Sequence, residues 1–369
     1  MPQPHLRRIL EERAALTREQ ARSLMQQVLA AQFTDLELAT LLGAIAARGE
    51  DAAELAGFVD AMRAAATHVP LDEAERSQLV DTCGTGGDSS GTFNISTAAA
   101  LVAAAAQQPF GAPRAMVAKH GNRAVTSECG SADVLEALGI PVTLSPAAAA
   151  AALRRHRFAF LHAPSLHPAM KAVMPVRRAL GVRTVFNILG PLTNPAGARA
   201  QVMGVYSAHL VPIVAEAMRQ LNVRHAFVVH GATSPDAADK GLDELSISGP
   251  SQLAEVRNNT VTLHRVTPEQ VGLRTAPIAA LAGGNATTNA QILRAIFAGE
   301  PGPRRDVVLL NAAAVLITSG AVAHADLHAD VHAALRAAIA LAAQAIDSGA
   351  VSTLISALAA DEQPVPPSH

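Results

Sequence analysis

Apolar residues recur at intervals of three and four through the first 66 residues, and the pattern there is of helices only. Leu24 with Val28, and then Leu38, Leu41, Leu42 and Ile45, each build one apolar face at helical spacing. Thr17 with Gln20, Thr34 with Glu37 and Asp51 with Glu54 follow the capping pattern. In that pattern an N-cap oxygen and a side chain three residues on satisfy the orphan amides of a first turn. These signals predict three short helices joined by short links.

The pattern changes after about residue 78. Leu79 to Cys83 reads as a buried strand entering a glycine-rich turn, followed by a helix from about Asn94 through an alanine run. Ala115 to Ala118, Phe158 to His162, Gln201 to Tyr206 and His225 to His230 read as further strands. Helices are predicted at 146–154 and 209–221, and at 131–139 with a Ser start and a Gly stop. From 286 to 360 the chain is helical again without a fixed repeat, and the tail from Glu362, with its three prolines, is expected to fray. Alternating strands and helices predict an α/β fold with a mostly parallel central sheet and helices on both faces, preceded by a small helical domain.

Composition narrows the class. Half of the 369 residues are apolar and 16% are charged, the reverse of a disordered chain, and the length suggests two or three structural units. A formal charge of −2 argues against a surface devoted to nucleic acid. Two cysteines form no disulfide framework and fit a cytoplasmic protein. The apolar run Val307 to Ala323 is broken by Asn311, Thr318, Ser319 and Gly320, short of the about 20 residues a membrane span needs. The start, MPQPHLRRILEERAAL, has no signal-peptide core. A soluble protein with no membrane or nucleic-acid partner is expected.

Three segments carry chemistry. In Asp81 to Thr97, the glycines at 84, 86, 87 and 91 let the backbone approach a ligand and turn its amides inward. The hydroxyls of Thr92, Ser96 and Thr97 and a helix N-terminus add donors, so that the whole reads as a phosphate cradle. It is neither an ATPase P-loop nor a dinucleotide fingerprint. Lys119 to Ser127 brings two cations, Lys119 and Arg123, to the end of the second strand, which suits a polyanion. Asp243 and Glu244 follow a strand and loop, as Mg²⁺ ligands shared with substrate phosphates would. Other features carry little. His324, His328 and His332 interleave with acids as a solvated helix face, and Arg154, Arg155 and Arg157 mark an exposed helix end. Cys83 reads as a small buried residue, and Cys129, which borders the Lys119 loop, as a thiol without a visible activator.

Together the motifs resemble the anthranilate phosphoribosyltransferases over nearly the whole chain. Gly84-Thr-Gly-Gly-Asp88, Asn94-Ile-Ser-Thr97, Lys119-His-Gly-Asn-Arg123, Gly130 to Gly139, His167-Pro-Ala-Met170, Phe186-Asn187 with Gly190 to Pro195, and Gly241-Leu-Asp-Glu244 stand in that family's order. The resemblance implies transfer of phosphoribose from phosphoribosyl diphosphate (PRPP) to anthranilate, with release of diphosphate, in tryptophan synthesis. It implies a helical domain of residues 1–75, joined by a later piece near 167–190, beside an α/β domain of 76–369, and a homodimer formed through the helical domains.

By motif, Gly84, Gly87, Asp88, Thr92, Asn94, Ile95, Ser96, Thr97, Ser131 and the run Lys119, His120, Gly121, Asn122, Arg123, Ala124, Val125, Thr126 and Ser127 would hold PRPP, with Lys119 and Asp88 acting in catalysis. Gly84, Asn122, His120, His167 and Arg177 would meet anthranilate, and Ser96, Asp243 and Glu244 would bind Mg²⁺. Gln107 to Arg114 and Ala232 to Lys240 depart from the family as apparent surface insertions. The rival readings are a pyrimidine nucleoside phosphorylase-like enzyme, whose signature loops are absent, and a non-catalytic nucleic-acid-binding paralogue, which would need a basic surface.

Overall fold

The computed structural model describes residues 4–107, 115–124, 128–236, 241–322 and 330–361. The expectations placed on Val125, Thr126, Ser127, His324, His328, the proline tail and most of the two insertions lie outside the described residues.

Helices α1 (Pro4–Leu10), α2 (Arg18–Leu29), α3 (Asp35–Arg48) and α4 (Ala52–Ala64) come first, then α5 (Glu73–Ser77). Thr17 and Thr34 cap α2 and α3 with both bonds of the capping box in place. Asp51 caps α4 through Ala53 and Glu54 amides, but Glu54 does not reach back to it. Glu54 turns inward instead, 1% exposed, to accept the Leu16 amide at 2.7 Å and pair with Arg48. The short α1 and α5 were not expected from the spacing.

The sheet begins with β1 (Leu79–Gly84), followed by α6 (Ile95–Ala105), β2 (Met116–Gly121), α7 (Ser131–Ala137), α8 (Pro146–His156), β3 (Phe158–His162) and the short α9 (Ala163–Leu166). Next come α10 (Met174–Leu180), α11 (Phe186–Leu192), β4 (Ala200–Gly204), α12 (Leu210–Gln220), β5 (His225–Ala232) and the two-residue β6 (Gly241–Leu242). A hairpin of β7 (Ser251–Arg257) and β8 (Thr260–Val266) precedes α13 (Ala286–Phe297), α14 (Pro303–Ser319), α15 (Val331–Asp347) and α16 (Ala350–Ala359). The strand order is β3-β2-β1-β4-β5-β7-β8, with β6 paired to β5. Strands β1 to β5 run parallel, and β6, β7 and β8 join antiparallel.

The β7–β8 hairpin is absent from the strands expected above. Asn258 and Asn259, at φ of 49° and 57°, make the two-residue turn whose twist suits a hairpin. Strand β1 is the switch point: β2 and β3 lie to one side of it, β4 and β5 to the other. In such sheets the crevice outside the carboxyl ends of the two strands flanking the switch takes the ligand.

One face of the sheet is covered by α6, α14, α15 and α16. The alanines of α6 from Ala98 to Ala104 are fully buried and let α14 pack closely. Helices α2, α3 and α4 share a second apolar cluster with α10, α11 and α12 on the other face. Among the described residues no single helix is long and apolar enough to cross a membrane.

Arg48 also donates to Ala14 O at 2.8 Å, so the Glu54–Arg48 pair ties three segments of the helical unit. Replacing Arg48 by Met strands a buried carboxylate and is expected to lower the unfolding free energy by about 3 kcal/mol or more in urea melts. A loss within the scatter of an exposed ion pair, under about 1 kcal/mol, would show that Glu54 does not need its partner.

Candidate active site

Gly84 ends β1, Gly204 ends β4, and the two are partners in register. The chain after β6 crosses this pair of strand ends at Asp243. A Cβ on Gly84 would strike the Asp243 carboxylate, and one on Gly204 would strike its carbonyl oxygen. In the hollow they leave, Asp243 Oδ2 accepts the Gly86 amide at 2.6 Å. The glycine turn and the acidic pair, 157 residues apart in sequence, are thereby in direct contact.

One oxygen from each of Asp88, Asp243 and Glu244 lies within 4.8 Å of the others. Asp88 Oδ2 and Glu244 Oε2 are buried and have no hydrogen-bond partner among the described residues. Burial, and next the Asp88 charge, raise Asp243 to about 6, while burial and then Asp243 push Glu244 well above the carboxylate range. Three crowded oxygen donors with bare lone pairs fit a hard divalent cation. Asp88 joins this cluster, whereas the motif comparison gave it to PRPP and to catalysis and not to the metal. Ser96, expected among the metal ligands, has its Oγ 3.4 Å from Lys119 Nζ.

Gly86, Gly87, Ser89 and Gly91 all have φ between 58° and 75°, so the turn winds through left-handed conformations that glycine adopts without strain. It delivers the chain to α6, whose N-cap residue Asn94 makes no side-chain cap. Asn94 instead donates to Cys129 O at 3.1 Å and accepts from Asn289 at 2.9 Å, which leaves the helix N-terminus open to an anion. Ile95 is wholly buried and its amide donates to Phe93 O at 2.8 Å, and Thr97 Oγ1 is buried without a partner among the described residues. Thr92 Oγ1 lies 3.2 Å from Ser90 Oγ.

Lys119 lies within β2, not in a loop, and is 2% exposed. Its ammonium donates to Thr82 O at 2.7 Å. Burial lowers its pKa, and neighbouring acids, Asp81, Glu244 and Asp243 among them, oppose that. Arg123 departs from the expectation of a free cation. Its guanidinium forks onto Glu136 at 2.6 Å and reaches Asp133 at 3.2 Å, bracing the loop against α7. Ala124 and Gly130 amides share Asp133 Oδ2, and Ser131 Oγ donates to Asn122 O, where Gly121 leaves room for that hydroxyl.

His120 and His167 pack side by side with ring centroids 5.1 Å apart and planes tilted by 52°. Each hydrogen-bonds a backbone group, of Gly190 and Thr193 respectively, and each leaves Nε2 buried and unpartnered. Burial drops them to about 3 and about 4, so both rings are neutral at pH 7. Arg177 lies on α10 with its guanidinium 5.4 Å from the Phe186 ring centroid and, among the described residues, only the Met174 sulfur, at 3.9 Å, as an acceptor. It has no carboxylate partner among the described residues, and burial lowers its pKa.

Three residues of the site escaped sequence reasoning. Asp81, fully buried and raised to about 6 chiefly by burial, accepts the His120 amide at 3.1 Å. Arg183 lies over the Tyr206 ring at 4.5 Å and donates to Gly87 O in the turn. Asn311, in the apolar helix α14, accepts the Leu245 amide at 3.0 Å and donates to Leu245 O at 2.9 Å, clamping the chain just after Glu244. A lone Asn in the middle of an apolar run was its visible signal; Arg183 had none.

Outside this site, Cys83, Cys129, the Arg154 to Arg157 run and His332 are engaged in local structure. Cys83 is half-buried and Cys129 8% exposed, and burial raises both thiols, so neither is activated. Arg154 and Arg155 pair with Glu75 and Asp361, and Arg157 donates to Gln78. His332 lies 3.0 Å from Arg265 O through Nε2 and 3.2 Å from Asp330 through Nδ1.

Residues 3–66 match the model of the glycosyl transferase family helical bundle domain, and residues 76–352 match that of the glycosyl transferase family a/b domain. An anthranilate phosphoribosyltransferase of Pelotomaculum thermopropionicum is 50% identical over 305 residues, 83% of this chain and 84% of that one. The crystal structure of anthranilate phosphoribosyltransferase from Thermus thermophilus superposes with a TM-score of 0.83 at 39% identity, covering 97% of this chain and 99% of that one. The enzyme from Saccharomyces cerevisiae in complex with PRPP and Mg gives a TM-score of 0.81 at 25% identity, covering 95% and 94%.

Replacing Asn311 by Leu leaves the Leu245 amide and carbonyl buried without partners. The expected loss is about 2 kcal/mol or more of unfolding free energy in urea melts. An unchanged midpoint and slope would mean that the acidic segment keeps its place without the clamp.

Proposed function

The chain belongs to the anthranilate phosphoribosyltransferases of the glycosyl transferase family, and on that basis we propose which of its own residues perform each part of the reaction. The enzyme transfers a 5-phosphoribosyl group from PRPP to the amine of anthranilate and releases diphosphate. The observation that carries the assignment of roles is the bond from the Gly86 amide to the Asp243 carboxylate, because it joins the phosphate cradle to the acids.

Gly84, Gly87, Asp88, Thr92, Asn94, Ser96, Thr97, Lys119 and Ser131, with the backbone of Ile95 and of the 120–124 segment, hold PRPP. As the C1–O bond breaks and the C1–N bond forms, negative charge grows on the departing diphosphate. The turn amides, the α6 N-terminus and the buried Lys119 ammonium are already aimed and dehydrated to receive it. Asp243 and Glu244, with Asp88 and Ser96, hold Mg²⁺, which when bound supplies further charge to the same leaving group. The bare lone pairs of Asp88 and Glu244 support that reading.

Arg177 takes the anthranilate carboxylate on its fork while Phe186 packs beside it. His120 and His167, neutral and with a bare Nε2 each, accept hydrogen bonds along the approach, and Asn122 and Gly84 complete that side. The anthranilate amine is neutral at pH 7, so positioning serves in place of a strong base.

The finer organisation is part of the same proposal. Residues 1–75 with the piece near 167–190 form a helical domain beside an α/β domain of 76–369; α2, α3 and α4 pack with α10 and α11 in one apolar cluster, which continues into α12 and the sheet. The exposed Leu10 and Leu36 on the first helices support a homodimer through this domain. Two cysteines that form no disulfide fit a cytoplasmic enzyme.

Loss of anthranilate fluorescence with PRPP and Mg²⁺ present, and its retention in EDTA, is the expected behaviour; undiminished metal-free turnover would remove the cation from the scheme. In the same assay Arg177→Ala is expected to raise KM for anthranilate about tenfold or more, the size of a lost charge-assisted bond, and to leave KM for PRPP nearly unchanged. Equal rises for both substrates would take Arg177 out of the carboxylate role.

A further inference from the structure

A second cleft lies at the other end of the sheet. Its walls are Arg63 near the end of α4, Glu73 and Arg76 on α5, Arg199 just before β4, and Leu221 and Val223 after α12, around about 460 Å³. The active site is at the carboxyl ends of β1 and β4; this cleft is at their amino ends, about 15 Å away by the rise of a five-residue strand. The volume falls in the range of small-molecule sites.

The guanidiniums here are poorly neutralised. Arg76 makes no side-chain hydrogen bond or ion pair among the described residues, and its Nε is buried. It lies against Gly197, where a Cβ would be 3.6 Å from Arg76 Cδ. Arg63 spends Nε on Leu192 O at 3.0 Å, and its terminal nitrogens have no acceptor among the described residues. Burial lowers the Arg63 pKa and Arg18 adds to that, while Asp60, which is itself paired with Arg18, opposes it only in part. Only Arg199 has a carboxylate, Glu73 at 2.8 Å, and that pair is exposed at 55% and 65%. Three guanidiniums face one carboxylate, an excess of positive charge in a chain of formal charge −2. Sequestered unpaired cations are costly, and a bound dianion removes the cost.

We propose that this cleft binds a small phosphate-monoester dianion, with the phosphate among Arg63, Arg76 and Arg199 and the organic part against Leu221 and Val223. The guanidiniums come from three separate segments, which suits a tetrahedral oxyanion better than a planar carboxylate. Because Arg63 belongs to the helical unit and Arg76 and Arg199 flank β1 and β4, the bound anion bridges the seam between the two.

The probe is inorganic phosphate, titrated calorimetrically into enzyme saturated with PRPP and Mg²⁺ so that the catalytic pocket is filled. The expected result is one phosphate site in the wild type, weakened about tenfold or more in Arg76→Gln and in the surface variant Arg199→Gln, with unaltered anthranilate turnover in both. Succinate in the same titration is expected to bind more weakly than phosphate. Absence of a phosphate site in the saturated wild type, undiminished affinity in both variants, or tighter binding of succinate would each overturn the proposal.

Discussion

Asp243 can lie across the carboxyl ends of β1 and β4 only because neither strand ends in a side chain. Gly84 and Gly204 are paired in register at the sheet's switch point, and a Cβ on either would occupy space that Asp243 fills. With both absent, the acidic segment drops onto the sheet and its carboxylate takes the Gly86 amide. The turn from 84 to 91 then has a fixed wall. Its glycines provide the left-handed backbone that aims amides across the crevice, and Arg183 grips Gly87 from the far side. Asn311 holds the other end of the acidic segment from within α14, so the corner is anchored by two faces of the fold.

The electrostatics of this corner are costly by design of position. Asp81, Lys119 and Asp243 are buried, and Asp88 and Glu244 crowd the same space. Burial raises Asp81, Asp243 and Glu244 and lowers Lys119, so the charged form of each carries a desolvation cost. A proposed cation and diphosphate supply the missing charges of both signs, and the under-neutralised state of the corner becomes binding free energy. The aromatic side differs in kind. His120 and His167 stay neutral, and Arg177 is the cation there without a carboxylate partner among the described residues. In the proposed roles the two substrates meet surfaces of different electrostatic character.

Much of this was legible in the residues. Capping pairs and three-to-four spacing revealed α2 and α3, and glycine runs after short apolar stretches marked β1 and its turn. The order of motifs carried the family because each motif is local. What stayed hidden depends on distant partners. Asp88 reads as part of the glycine turn until the fold brings Asp243 and Glu244 beside it. Arg123 reads as a free cation until α7 presents Glu136 and Asp133 to it. Lys119 reads as a loop residue because a lysine in the middle of a buried strand makes sense only once its acceptors, Thr82 O and Ser96, are in place. The β7–β8 hairpin is different, since its Asn258-Asn259 turn with alternating flanks was a local signal that went unread.

The central claim is that one diphosphate and one divalent ion are shared between the glycine turn and the acidic segment. Anomalous diffraction from crystals grown with PRPP and Mn²⁺ tests it most directly. The account predicts a manganese peak bound by Asp243 or Glu244 and by a diphosphate oxygen, with the same diphosphate accepting hydrogen bonds from the amides of Gly87 or Asp88. Manganese and diphosphate found in separate places, or a diphosphate seated away from that turn, would contradict it.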